Sequence, residues 1–256
     1  MVHVAALPGT PRCELSVSEI VKKALADARV LAEGGVDAIM LENMHDRPYL
    51  NRKVGPEIVA GMTAVAAALR RETALPLGIQ ILAGANKEAL AVAVASGIDF
   101  IRAEGFVFGH LADEGMMNSD AGELLRYRNQ IGAEQIQIYA DIKKKHSSHA
   151  VSADVSIAET AKAAAFFLAD GLVVTGNSTG EKASVEDLIQ VRKAVQLPVF
   201  IGSGITVENI GDYWNLADGF IVGSSLKYNG SWENDVDPVR VKAFMQTVHT
   251  LRKITD

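Results

Sequence analysis

The chain has 256 residues, of which 48% are hydrophobic and 22% charged, an ordinary globular composition with enough apolar material for a sizeable core. A formal charge of -6, with no Lys/Arg stripe beyond Lys143 to Lys145, excludes a nucleic-acid surface as the main role. One cysteine, Cys13, excludes an internal disulfide framework, and no apolar run approaches the roughly 20 residues that cross a bilayer.

The first predicted strand, 1–5, begins at once and shows no signal-peptide pattern. The expected compartment is therefore the cytoplasm, or an organelle if an N-terminal targeting segment is missing. A helix follows at 16–33, opened by Ser16 and Glu19 at capping-box spacing. Glu-Gly-Gly-Val-Asp at 33–37 reads as helix end, glycine cap and next strand, and Ala-Ser-Gly-Ile-Asp at 95–99 repeats it. Strands are then predicted at 37–42, 77–82, 98–104, 135–142, 171–175, 198–202 and 218–222. Between and after them fall helices at 55–72, 86–96, 119–131, 154–168, 184–195, 206–214 and 237–252. Thr206 stands three residues before Asn209, and Asp237-Pro238 puts proline in the last helix's first turn. Eight strict βα units predict an α/β fold with a single (β/α)8 TIM barrel spanning 1–256, with a doubly wound open sheet as the alternative.

Side chains alternate along a strand, so parity separates the helix-facing from the inward positions. Ile136, Ile138, Ala140 and Ile142 belong to the helix side, leaving Gln137, Tyr139, Asp141 and Lys143 inward. The same count turns His3, Glu42, Gln80, Arg102 and Glu104 inward. Charge inside a barrel is costly unless it pairs or meets a ligand, which makes Glu42, Arg102, Glu104, Asp141 and Lys143 a candidate site. A salt-bridge layer that satisfies itself is the structural alternative.

Asp141 and Lys143 on one strand face would keep each other charged and poised for proton transfer. A Schiff base at Lys143 is disfavoured, because the neighbouring carboxylate opposes the lowered pKa a nucleophilic amine needs. Of six histidines, His45, His110, His146 and His149 follow strands, where the active face of such a barrel is built. His3, His146 and His110 are the strongest of the six. His3, Glu42 and Asp141 could hold a divalent metal, although no tight ligand spacing marks such a site and no cofactor is required.

Two glycine-serine turns end the last two strands. Gly202, Ser203 and Gly204 would form one wall of an anion pocket and Gly223, Ser224 and Ser225 the other, as the loops after strands seven and eight commonly do. Each alone could be a plain turn. Thr175 to Glu181 is polar and glycine-rich, and Asn177, Ser178 and Thr179 could hold ribose or phosphate oxygens, with Arg102 and Asp113 as further ligand contacts. The segment 105–115, long and apolar-tipped, reads as a lid.

MVHVAALPGTP, GVDAIMLEN, ADEGMM, LLRYRNQIGA, YADIKKKH, TGNSTGE, GSGITVEN and DGFIVGSSLK stand in the order found in the BtpA/SgcQ family, which this chain resembles over essentially its whole length. The resemblance implies a (β/α)8 barrel akin to ribulose-phosphate-binding barrels. Positions matching its motifs are His3, Glu42, Asn43, Asp113, Gly115, Asp141, Lys145, His146, Ser178, Gly180, Gly202, Ser203, Gly204, Gly223 and Ser225. Family members precede the MVH segment with several apolar residues, so the first strand is expected to be short here. Many have Asn-Val where this chain has Glu104-Gly105.

The expected function is that of an enzyme on a phosphorylated small metabolite, a sugar phosphate or nucleotide-like compound, by isomerisation, aldol-type cleavage or hydrolysis. Asp141 would be the general acid or base, with Lys145 or His146 as proton or charge partner. The alternative is a noncatalytic assembly or stability factor, in the sense of the photosystem I role from which the family is named. A homo-oligomer is expected, and membrane attachment is disfavoured by the lack of a basic amphipathic face or lipidation signal.

Overall fold

The computed structural model describes residues 1–176 and 182–255. In chain order the elements are β1 (Val2–His3), α1 (Val17–Glu33), β2 (Ile39–Glu42), α2 (Pro56–Glu72), β3 (Leu77–Gln80), α3 (Asn86–Ser96) and β4 (Phe100–Ala103). Then come β5 (His110–Ala112), β6 (Gly115–Met117), α4 (Ala121–Gln130), β7 (Gln137–Ile142), β8 (Ser147–Ser148), α5 (Ile157–Phe166) and β9 (Gly171–Val174). The last are α6 (Val185–Ala194), β10 (Val199–Ile201), α7 (Ile210–Tyr213), β11 (Gly219–Phe220) and α8 (Pro238–Thr255).

One parallel sheet of eight strands runs β1-β2-β3-β4-β7-β9-β10-β11, each neighbour following in chain order, and curls in the manner of a half-barrel. Helices connect the strands because apolar residues occupy one strand parity almost without exception. Leu41, Ile79, Ile101, Ile138, Leu172 and Ile201 are wholly buried between sheet and helices. Capping boxes open α1 at Ser16 and Glu19 and α5 at Ser156 and Glu159. Gly97, at φ 71, ends α3 in the left-handed conformation that glycine adopts without strain.

A second repeat ties strand starts to helices. Asp99, Asp170 and Asp218 each accept a backbone N–H from the strand beside them, at Leu77, Ile138 and Val199 (2.7, 2.8 and 2.8 Å). Each also pairs with an arginine of a preceding helix: Arg70, Arg128 and Arg192. Asp99 stands in Gly-Ile-Asp but Asp170 and Asp218 each in Leu-Ala-Asp, so the strand-start clamp is set by the aspartate and not by the glycine before it.

Inside the sheet lies a layer of glycines and aromatic rings in register. Gly78 pairs with Phe100, Gly171 with Tyr139 and Gly219 with Phe200. A Cβ on those glycines would come within 2.1, 2.4 and 2.4 Å of the facing ring. The rings stack across strands, Tyr139 lying 5.2 Å from Phe100 and 4.8 Å from Phe200 between centroids. They form a hydrophobic floor beneath the polar positions nearer the strand ends.

Three expectations are corrected. The segment read as a lid is not an irregular loop: β5 and β6 form a hairpin, and β8, from the loop after β7, joins it as a third antiparallel strand. The helix expected over 206–214 shrinks to Ile210–Tyr213, because the Asn209 side chain accepts from Thr206 N and donates to Gly204 O (2.9 and 2.8 Å). Those bonds hold 204–209 as a loop. Lys143 is the third.

Candidate functional site

A cavity of about 530 Å³ opens at the carboxyl ends of the sheet strands. His3, Glu42 and Gln80 stand side by side on β1, β2 and β3, fixed at one level by the strand register. The His3 Nδ1 lies 2.9 Å from the Trp232 carbonyl, which can only accept, so Nδ1 carries the proton and Nε2 faces Glu42 Oε2 at 3.7 Å. Burial holds the His3 pKa well below its ordinary value, and Lys227 adds to the effect. Burial likewise pushes the Glu42 carboxyl up, against the opposing charges of Arg102 and Lys145.

Arg102, on β4, and Asp141, on β7, meet in a bidentate pair of 2.8 and 3.0 Å, both side chains buried. Arg102 faces the cavity; Asp141 does not, and both its oxygens are taken. Asp141 therefore positions the guanidinium instead of offering a carboxylate to a ligand. His3 and Glu42 are neighbours, but with Asp141 so engaged the metal set of the sequence reading is not assembled. No group of three His, Cys, Asp or Glu suited to a metal occurs among the described residues.

Lys143 leaves the site. β7 ends at Ile142, Lys143 takes a left-handed φ of 51, and its Nζ donates to the Ser152 carbonyl at 3.0 Å, away from the main cavity. The break in alternation turns Lys144 inward, where it pairs with Glu104 Oε1 at 3.2 Å; unbroken alternation would have put it on the helix side. Lys145 and His146 also line the cavity. Burial lowers the Lys145 pKa, with Arg102 the next cause, and burial then Lys145 lower that of His146.

The two glycine-serine loops come together. Ser225 Oγ donates to the Ile205 carbonyl at 2.9 Å, and Gly202, Ser203, Gly204, Gly223, Ser224 and Ser225 all line the cavity. A Cβ on Gly202 would lie 3.1 Å from Arg102 Nη2, and one on Gly223 3.5 Å from His3 Nε2, so both loops abut the polar layer. Buried polar atoms without a hydrogen-bond partner collect here: Gln80 Oε1, Glu104 Oε2 and Ser203 Oγ. Asp113, from the β5–β6 hairpin, lines the mouth. Asn177, Ser178 and Thr179 lie outside the described residues.

Sequence reasoning missed Lys144, Tyr49, Arg47, Trp232 and Arg240, which also line the cavity. Trp232 was findable: it is a lone aromatic in the polar stretch Ser231 to Asp235. The Arg47 guanidinium lies 4.6 Å from its ring centroid, so the tryptophan is part of the wall.

Eight parallel strands with helices between them, and a polar cavity at the strand ends, define a TIM-barrel-like α/β protein, the class of its structural neighbours. The phosphoribosyl anthranilate isomerase of Thermus thermophilus superimposes with a TM-score of 0.59 at 13% identity, covering 89% of this chain and 95% of that one. The chain belongs to the BtpA family, whose sequence profile matches residues 1–250. It is 52% identical to a Caenorhabditis elegans protein described as mitochondrial, over 99% of this chain and 93% of that protein. It is 35% identical to the photosystem I biogenesis protein BtpA of Synechocystis, over 97% of this chain and 86% of that protein. No helix among the described residues is long and apolar enough to cross a membrane.

Proposed function

We propose that this chain is an enzyme acting on a phosphorylated small metabolite, a sugar phosphate or nucleotide-like compound, at the strand-end rim of a closed (β/α)8 barrel. Closure is supported by the Met1 nitrogen, which donates to the Val222 carbonyl at 2.9 Å and so links the first and last strands of the sheet. The observation that carries the functional reading is the meeting of two glycine-serine loops against Arg102, with the buried Ser203 hydroxyl lacking a partner among the described residues. Among the described residues Arg102 and Lys145 face the cavity beside these loops, and Lys145 has no ion pair there, so a cationic group is at hand for an anion.

In this reading Gly202–Gly204 and Gly223–Ser225 hold the phosphate beside Arg102. Glu42, with its raised pKa, moves the proton, and His3 and His146 orient or relay it. Asp141 acts through Arg102. Thermal-shift titration with phosphorylated metabolites tests the idea, with Gly204→Asp as control: Gly204 has φ 75 at the loop centre, and an added carboxylate would repel the ligand. Stabilisation of the parent and none of the variant is expected. No stabilisation by any phosphorylated compound would remove the reading.

The name of the Synechocystis relative favours a second reading, an assembly or stability factor that keeps the barrel for ligand sensing. A Glu42→Gln chain that restores a deletion strain fully would support the second over the first. An organellar location fits the designation of the Caenorhabditis elegans relative, and imaging of the tagged gene product would test it.

A further inference from the structure

We infer that Lys145 is a carbonyl-capturing nucleophile, forming an imine between its Nζ and the aldehyde or ketone of the phosphorylated ligand. This deepens the phosphate-ligand reading and depends on it for the choice of substrate.

Lys145 differs from the other lysines around it by what it lacks. Lys143 donates to a backbone carbonyl and Lys144 pairs with Glu104. Of the three carboxylates whose charge reaches Lys145, Asp141 is taken by Arg102, Glu104 by Lys144, and Glu42 lies beside His3. Lys145 Nζ makes no ion pair or hydrogen bond with any described residue, yet it opens onto the cavity. A buried amine with no counter-ion among the described residues, and near a guanidinium, holds its proton weakly. The objection that applied to Lys143, a neighbouring carboxylate that keeps the amine charged, weighs less here: Asp141 is paired with Arg102 and Glu104 with Lys144, and burial with the Arg102 charge outweighs the pull of the three carboxylates.

Position supports the assignment. The Lys145 backbone N–H donates to Thr175 Oγ1 at 3.1 Å, and the methyl of the same threonine would lie 3.0 Å from a Cβ on Gly202. One side chain thus spaces the lysine from the phosphate loop. A ligand anchored there by its phosphate presents its carbonyl at high effective concentration to the amine.

The step balances without redox change. The neutral Nζ attacks the carbonyl carbon, a C–N bond forms, and the carbonyl oxygen becomes hydroxyl. That oxygen leaves as water, one of its hydrogens coming from Nζ and the other from the Glu42 carboxyl, while the iminium nitrogen keeps the second amine hydrogen and the positive charge. Glu42 is left as a carboxylate facing the iminium. Its burial suits it to hold the proton beforehand.

The test is reductive trapping of the full chain with glyceraldehyde 3-phosphate and cyanoborohydride, read by intact mass and peptide mapping, beside glyceraldehyde as the phosphate-free probe. Expected is one adduct, of mass equal to the probe less one oxygen, on Lys145, formed about tenfold or more faster than on surface lysines. Lys145→Arg should lose it while keeping its thermal transition, and Lys143→Met, outside the main cavity, should keep it. Glu42→Gln should slow it. Label spread evenly over surface lysines, or no label at Lys145, overturns the inference. If inorganic phosphate stabilises the chain yet Lys145 stays unlabelled, imine chemistry falls and the phosphate site stands. If both aldehydes label Lys145 equally and phosphate has no effect, the reverse holds.

Discussion

Arg102 and Asp141 place two opposite charges inside the sheet, where each is tolerable only because the other is there. Burial works against the Arg102 charge, and the Asp141 contact more than restores it, holding its pKa above the ordinary value. Removing one partner leaves the other charged and dry. Asp141→Ala is therefore expected to lower stability by about 3–5 kcal/mol in urea denaturation. Arg102→Met with Asp141→Leu should recover most of that loss, because two apolar side chains need no partner. The double variant should still fail to bind phosphorylated ligands. If it binds them as well as the parent does, Arg102 has no part in the anion site.

At the scale of elements, the glycine and aromatic layer decides how closely neighbouring strands pack. Gly171→Ala drives a methyl into Tyr139, whose ring sits between Phe100 and Phe200. Overpacking of this kind costs about 1–3 kcal/mol, and Tyr139→Leu in the same chain should relieve it, as paired denaturation curves would show. The same layer explains what could be read from the sequence. Alternation along β2, β3, β4 and β7 was enough to turn Glu42, Gln80, Arg102 and Asp141 inward, because a buried parity leaves an unbroken apolar row opposite. It failed one residue past Ile142, since nothing in Lys143-Lys144-Lys145 marks the left-handed Lys143 that exchanges inside for outside. The β5–β6–β8 sheet was illegible for a related reason. Strands of two or three residues have no period, and their pairing joins segments more than 30 residues apart. The pairing of Asp141 with Arg102 was open to parity reasoning, which placed both inside, but parity cannot tell two inward charges that meet from two that wait for a ligand.

For the whole molecule, the protons gained on unfolding set how stability follows pH. His3, His45, His110, His146 and His149 all lie below the ordinary histidine value of 6.5, burial being the first cause in each, with His45 and His110 at about 4. The fold holds these rings neutral where the unfolded chain would protonate them. Their contribution is whole above 6.5 and is lost as pH falls toward 4. Glu42, Asp46, Asp120 and Asp187 act in the opposite sense: burial raises each, Asp120 from 3.8 to about 6, so the fold retains protons that the unfolded chain has released. Acidification below about 6 therefore returns through Asp120 part of what the histidines lose, and the other three carboxyls act in the same direction. The two sets separate between about 6 and neutrality, where the histidines dominate. Melting temperatures taken in steps from about pH 7.5 to 5 should fall first near 6.5 and flatten below 6. His110→Asn should shallow the first limb, since an N–H formed by protonating its buried Nε2 would find no acceptor among the described residues. A melting temperature that rises on leaving neutrality would mean that the raised carboxyls outweigh the five rings.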